Sequence, residues 1–313
     1  MTVVLQDADL DIVPTMELAL EALESAFAAK TRGELVSPPR HHVRYPGLGD
    51  LVFTIGGVVG SPALAGFRVY DTFNGPEHSQ IIAVWSADNA RLEGIVIGNR
   101  LGEIRTGAIG GIAIRHMSAP DAKNVGVVGT GQQARTQLVA AAAVRNLANV
   151  VVYSRSEPHR NAFTHEMQRL VGVPVQPVSS AQEAIEQADL VICATTSSTP
   201  VIDARWVKRG AHINTVGPKS RDAHELGLDV AEMADVIATD SPEQIRAYDP
   251  PFFLNGTSNG ARVVDLAQIV EGRMVARRTG AETTLFCSTG LAGTEVLVAA
   301  KVLESFKRKS SGK

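Results

Sequence analysis

Residues 124–138 read NVGVVGTGQQARTQL, and the order of residue types suits one piece of chemistry. A β-branched run at 125–128 stops at Gly129-x-Gly131-x-x-Ala134, and a helix-like segment follows. Gly129 permits a tight turn, Gly131 lets a pyrophosphate approach the backbone, and Ala134 is small enough for close helix–strand packing. The helix that opens there offers free N–H groups and a positive dipole end to phosphate. The stretch is expected to cradle a dinucleotide, with Gly129, Thr130, Gly131, Gln132, Gln133 and Ala134 against it.

The next strand-like run reads VVVYSRSEPHR. Units that take NAD usually end this second strand with Asp or Glu, on the ribose hydroxyls. Here Ser154, Arg155 and Ser156 stand at the tip, with His159 and Arg160 just beyond. An arginine in place of a carboxylate suits a 2′-phosphate. NADP(H) is favoured as the cofactor, with NAD(H) as the alternative.

A cradle works only if strands and helices hold it. Strand-like runs at 125–128, 150–153, 190–194, 212–216 and 236–239 alternate with helical patterns at 133–147, 158–170 and 181–187. That alternation predicts βαβ crossovers and a Rossmann-type, doubly wound parallel sheet. VVDLAQIVEGR adds a helix and TTLFCSTG a further strand. The first part of the chain differs. An amphipathic helix at 16–29 precedes four consecutive strand patterns, LVFTIGGVV, LAGFRVYDTF, SQIIAVWSA and EGIVIGN. Then RTGAIGGIAIRHM reads as a helix, with a Ser-Ala-Pro-Asp linker after it. The expected division is an α+β domain at 1–120 and an NAD(P)-binding domain at 121–292. A closing helix at 293–313 is expected to pack back on the first.

The 313 residues carry 20% charged side chains and a formal net charge of −3, which leaves no broad basic field for nucleic acid or an anionic membrane. No apolar stretch approaches the length of a membrane span. The opening MTVVLQDADLD lacks a basic start and a long apolar core, so no secretory signal is expected. Cys193 and Cys287 lie in apolar runs and read as buried structural thiols in a reducing compartment, which points to the cytoplasm. No Cys/His cluster has metal-ligand spacing.

The ordered set PPR at 38–40, GFRVY at 66–70, EIRTGA at 103–108, VGTGQQAR at 128–135, ATTSSTPV at 194–201, INTVG at 213–217, HEL at 224–226 and TLFCSTGLA at 284–292 spans nearly the whole chain. In it the sequence resembles the ornithine cyclodeaminase/mu-crystallin family. The resemblance implies a homodimer acting on amino, imino or keto acids, with the α+β domain at 1–120 as its substrate-binding and dimerisation domain. It further implies that Arg40 and Arg105 hold a substrate carboxylate, with Arg68 where lysine is usual. Thr106, Thr195, Thr196, Val216, Gly217, Ser288 and Gly290 are carried over as cofactor contacts. Two further positions depart from the family pattern. Lys219 stands where an aspartate is frequent, and Cys287 replaces a lysine.

Arginine forks match carboxylates bidentately. Lys219, if buried beside arginines, can have its pKa depressed enough to transfer a proton. Arg68 and Lys219 would repel a second ammonium, so ornithine is expected to be neither substrate nor tight ligand. His41, His42 and His116 read as solvated or core histidines, and His224 with Glu225 as a helix cap and loop salt bridge. The resulting expectation is an NADP(H)-dependent oxidoreductase acting on the C–N bond of a carboxylated imine or amino acid. A cyclodeaminase-like lyase and an NADPH-loaded binding protein remain the alternatives.

Overall fold

The computed structural model describes residues 2–311. In chain order the first elements are β1 (Val3–Gln6), α1 (Ile12–Thr31), β2 (Leu35–Val36), β3 (His41–Tyr45), β4 (Gly49–Val58), β5 (Leu64–Asp71), β6 (Gln80–Ser86), β7 (Arg91–Ile97) and α2 (Arg100–Met117). The chain continues through β8 (Asn124–Val128), α3 (Gln132–Val144), β9 (Asn149–Tyr153), α4 (Glu157–Val171), β10 (Val175–Pro177), α5 (Ala181–Ile185), β11 (Leu190–Cys193) and β12 (His212–Thr215). It ends with β13 (Lys219–Ser220), β14 (Ala223–His224), α6 (Leu228–Met233), β15 (Val236–Thr239), α7 (Pro242–Arg246), β16 (Val263–Asp265), α8 (Leu266–Val270), β17 (Thr284–Cys287) and α9 (Thr294–Ser311). The last two positions of the expected closing helix, 312 and 313, lie outside the described residues. Two compact units result, one from the segment ending at Arg105 plus that beginning at Gly290, the other Thr106–Thr289. The boundary falls inside α2 rather than at the linker after it, because that helix starts at Arg100 and runs unbroken to Met117.

The first unit is a seven-stranded sheet in the order β1-β7-β6-β5-β4-β2, with β3 also on β4. β4 to β7 form an antiparallel meander, and β1 joins β7 in parallel. Alternation along these strands sorts side chains to two faces. Val52, Thr54, Arg68, Ile82 and Val96 share one face by register, and α9 lies on it with α1 packed against α9. The other face presents Phe53, Ile55, Phe67, Val69, Ile81, Ile95 and Ile97. Ile55, Ile81 and Ile97 are exposed there.

The second unit is an eight-stranded, wholly parallel sheet in the order β10-β9-β8-β11-β12-β17-β15-β16. The order reverses at β8, so β8 and β11 flank the topological switch point. β11, β12 and β17 are buried at every residue, as strands covered on both faces must be. On one face, Val191, Cys193, Ile213 and Leu285 join Ile185, Val230 and Phe252 in one apolar core. On the other, polar ties fasten the second half of α2. Asn214 Nδ2 donates to the Gly110 carbonyl at 3.1 Å, Gln137 Nε2 to the Thr106 carbonyl at 3.1 Å, and Thr284 Oγ1 to the Met117 carbonyl at 3.0 Å. Among the described residues no helix is long and apolar enough to cross a membrane.

Candidate functional site

β8 ends against the turn that opens α3. Gly129 has φ +108°, and a Cβ there would collide with the Ala194 carbonyl at the end of β11, so only glycine fits. Gly131 caps α3, and nothing lies within 4 Å of where its Cβ would be. That open space over a helix N-terminus is what a pyrophosphate needs. The loop is braced from behind. Arg135 Nη1 donates to the Thr130 carbonyl at 2.7 Å while its Nε pairs with Glu166 at 2.8 Å. Thr130 and Ser154 share a hydroxyl contact of 3.2 Å, and Gln133 Oε1 is a buried acceptor without a partner among the described residues. A cleft of about 800 Å³ runs from Gly129 and Gly131 past Ser154, Arg155 and Ser156 to Thr195 and Thr196. The residues present therefore fit a dinucleotide. Gly129 to Ala134 would hold its phosphates, and Arg155, exposed on the cleft wall, is free to meet the ribose end. Arg160 is committed elsewhere, to the Ser154 carbonyl at 2.5 Å.

The far end of this unit brings Val216, Gly217 and Lys219 close to Thr195 through one acid, Glu225. Its carboxylate accepts from the Thr195 and Gly217 N–H groups at 2.8 and 2.6 Å. Glu225 and His224 thus do not cap a helix. His224 lies in β14 and stacks on Phe253, with ring centroids 5.5 Å apart. Lys219 is 4% exposed, and its ammonium donates to the Gly217 carbonyl. Ser288, just past β17, donates its N–H to the Thr215 carbonyl at 3.0 Å. Burial pushes the Cys287 thiol up to about 12, with Lys219 opposing, and raises Cys193 as well. Both cysteines are buried, protonated structural groups.

The three arginines expected at a substrate carboxylate, Arg40, Arg68 and Arg105, all belong to the first unit. Arg68 on β5 and Arg105 on α2 converge on a residue the sequence reading passed over, Glu295 in the first turn of α9. Arg105 Nη2 meets Glu295 Oε1 at 2.5 Å and Arg68 Nη1 meets the same oxygen at 3.2 Å. Gln80 accepts from Arg68 Nε at 2.7 Å. Arg105 and Glu295 are 3% and 2% exposed. Burial pushes the Glu295 carboxyl up, but Arg105, Arg68 and Arg40 outweigh it and hold it below the usual carboxylate range. Arg40 extends over Gly290, its Nη2 occupying the place a Cβ would take. One internal carboxylate oxygen therefore ties Arg68 and Arg105 together. Arg105 Nε is buried without a partner among the described residues, a donor left for a ligand. The histidines stand apart in role. His42 Nδ1 is hydrogen-bonded with Asp50 Oδ2 at 2.9 Å, His41 is exposed on β3, and His116 sits in the last turn of α2.

Comparison with known proteins adds what geometry alone does not. A family model described as the ornithine cyclodeaminase/mu-crystallin family matches residues 1–310. A Delta(1)-pyrroline-2-carboxylate reductase of Bacillus cereus is 32% identical over 219 residues, covering 69% of this chain and 67% of that protein. The alanine dehydrogenase of Archaeoglobus fulgidus is 26% identical over 320 residues, covering 99% of this chain and 97% of its own length. Among solved structures, Thermococcus litoralis Delta(1)-pyrroline-2-carboxylate reductase, determined in complex with NADH and L-proline, superposes with a TM-score of 0.89 at 28% identity, covering 99% of this chain and 98% of that one.

Proposed function

The chain belongs to the ornithine cyclodeaminase/mu-crystallin family, and on that premise we propose that it is a nicotinamide-dependent oxidoreductase acting on the C–N bond of a carboxylated imine or amino acid. The observation that carries this reading is the cradle at the switch point of the parallel sheet, where Gly129, the open Gly131 cap and the adjoining cleft fit a dinucleotide. The names of the relatives, reductases of a cyclic imino acid and a dehydrogenase of an amino acid, support the choice of bond. When bound, the nicotinamide supplies or accepts the hydride exchanged with the carbon of that bond. The chain's own residues do the rest. Arg40, Arg68 and Arg105 orient the substrate carboxylate, with Glu295 pinning two of the guanidinium groups. Lys219, held on the Gly217 carbonyl, is the proton donor to the substrate nitrogen.

The finer choice of cofactor is NADP(H), supported by Ser154, Arg155 and Ser156 at the end of β9 and by the lack of an acid among those three positions. The protein works as a homodimer, a reading supported by the apolar outer face of the first sheet. The substrate is a neutral or dianionic imino or keto acid, because a lysine at position 219 and an arginine at 68 disfavour a second ammonium. A panel decides the matter. NADPH absorbance is followed with Δ1-pyrroline-2-carboxylate, with pyruvate plus ammonia, and with other imino acids, while ornithine is assayed for ammonia release. Oxidation of NADPH with at least one imino or keto acid supports the reading. Efficient release of ammonia from ornithine without net cofactor turnover would replace it by the lyase.

A further inference from the structure

A buried carboxylate must replace its lost water with donors. Glu225 is fully buried and finds five. Its Oε2 accepts from the N–H and the hydroxyl of Thr195, each at 2.8 Å. Its Oε1 accepts from the Thr215 hydroxyl at 2.7 Å, the Val216 N–H at 3.0 Å and the Gly217 N–H at 2.6 Å. Glu225 is itself tethered at both backbone groups. Its N–H donates to the Pro218 carbonyl at 3.1 Å, and the Val201 N–H donates to its carbonyl at 2.9 Å. The fit around the carboxylate is tight enough that a Cβ on Gly217 would collide with the Thr195 carbonyl and the Glu225 carboxylate.

These donors come from the carboxyl ends of two neighbouring strands, β11 and β12. In a doubly wound sheet one mononucleotide half lies on each side of the switch point. The Gly129 cradle and the Ser154–Ser156 corner serve the half at β8 and β9. The loops after β11 and β12 belong to the other. Their N–H groups at 195, 216 and 217 are turned inward to Glu225, so the acid does not present them to a ligand but fixes the spacing of the two loops. Because the Lys219 ammonium donates to the Gly217 carbonyl, the same clamp sets where that ammonium stands.

We propose that Glu225 is a positioning residue for the nicotinamide half of the bound dinucleotide, joining the ends of β11 and β12 into one wall and leaving the adenine half to the glycine cradle. The proposal rests on the reading that the Thr106–Thr289 unit binds a nicotinamide nucleotide. Glu225→Gln keeps the shape but turns one acceptor into an NH2 group that faces donors. Thr215→Val removes a single donor from a strand end. The full chain and both variants are titrated calorimetrically with NADPH and NADH, and with 2′-phospho-ADP-ribose and ADP-ribose, which lack the nicotinamide. Glu225→Gln is expected to weaken the intact nucleotide by about tenfold or more and to leave the truncated one within about twofold, and Thr215→Val shows the same bias more weakly. The fluorescence of the bound reduced nicotinamide is expected to move towards that of the free cofactor in both variants. Equal loss for intact and truncated nucleotides, or no loss for either, overturns the proposal and leaves nucleotide binding in place. Should Glu225→Gln fail to fold, Thr215→Val must still show the bias or the proposal falls. A parent that binds none of the four overturns the functional reading itself, and the proposal with it.

Discussion

Two arginines illustrate how much a residue type says without its surroundings. Arg155 is exposed on the wall of the nucleotide cleft, whereas Arg105 is buried on a carboxylate. Removing Arg155 should cost NADPH about 1.5–3 kcal/mol of binding and leave NADH nearly unchanged. Titration of both cofactors against the parent and Arg155→Ala checks this, and equal affinities in the parent would refute the preference. Arg105→Ala removes a charged donor and leaves Glu295 with one partner fewer. It should lower kcat/KM by at least about a hundredfold, through loss of both binding and orientation, while NADPH affinity barely moves. Activity within a few-fold of the parent would make Arg105 structural. The arginines were legible in the sequence as carboxylate-binding types carried by a family pattern. Glu295 was not, because its meaning depends on partners 190 and 227 positions away. The role of Glu225 is illegible in the sequence for a related reason. HEL has the residue types of a helix start, and only the arrival of β11 and β12 beside it shows where its lone pairs go.

At the scale of elements, buried polar ties decide how β12 and β17 hold the sheet together. His212 on β12 bonds Thr284 on β17 and the Asn214 side chain, each at 2.8 Å. Burial pushes its imidazole down to about 3, with Arg277 and Arg145 adding to the shift and Asn214 opposing it. The unfolded chain takes up this proton near pH 6.5, the fold only near 3, so between the two the unfolded state binds more protons. Stability therefore rises with pH across that window and is lost as pH falls through it, by at most roughly 5 kcal/mol for this group. Thermal unfolding from about pH 7 to about pH 4 should show a shallower decline in His212→Asn than in the parent. An unchanged slope would mean that the imidazole does not stay neutral. The strands β8, β9, β11, β12 and β15 were readable within a residue or two, because short β-branched runs between helical stretches have few other uses. β1, β3 and β10 were not. His41–Tyr45 is exposed throughout, with no buried face to set a period, and only its pairing with β4 makes it a strand. The helix expected from residue 105 begins at Arg100, so Arg105 sits within a helix rather than at its start.

At the scale of the whole molecule, the sheet of the first unit shows one face covered by α9 and one of Phe53, Ile55, Phe67, Val69, Ile81, Ile95 and Ile97. A continuous apolar sheet face of this kind calls for a partner, and a second copy is the commonest one. Light scattering at micromolar protein should give a dimer or a multiple of it, and Ile55→Lys with Ile81→Lys should shift the mass towards the monomer. A parent that stays monomeric would refute the assignment. That the chain closes by returning to its first unit was legible from a helix-like segment that follows the parallel-sheet half, but which sheet face it would take was not, since Arg68 and Glu295 meet only in the fold. The central claim is that the molecule moves a hydride to or from the carbon of a C–N bond. It is tested most directly with NADPH carrying deuterium at both diastereotopic positions of the nicotinamide C4 carbon and an imino acid that the panel finds reduced, with the amino acid product read by mass spectrometry and NMR. One deuterium on the product's α-carbon for each cofactor oxidised is the expected result. Amino acid that forms without label or without cofactor oxidation would contradict it.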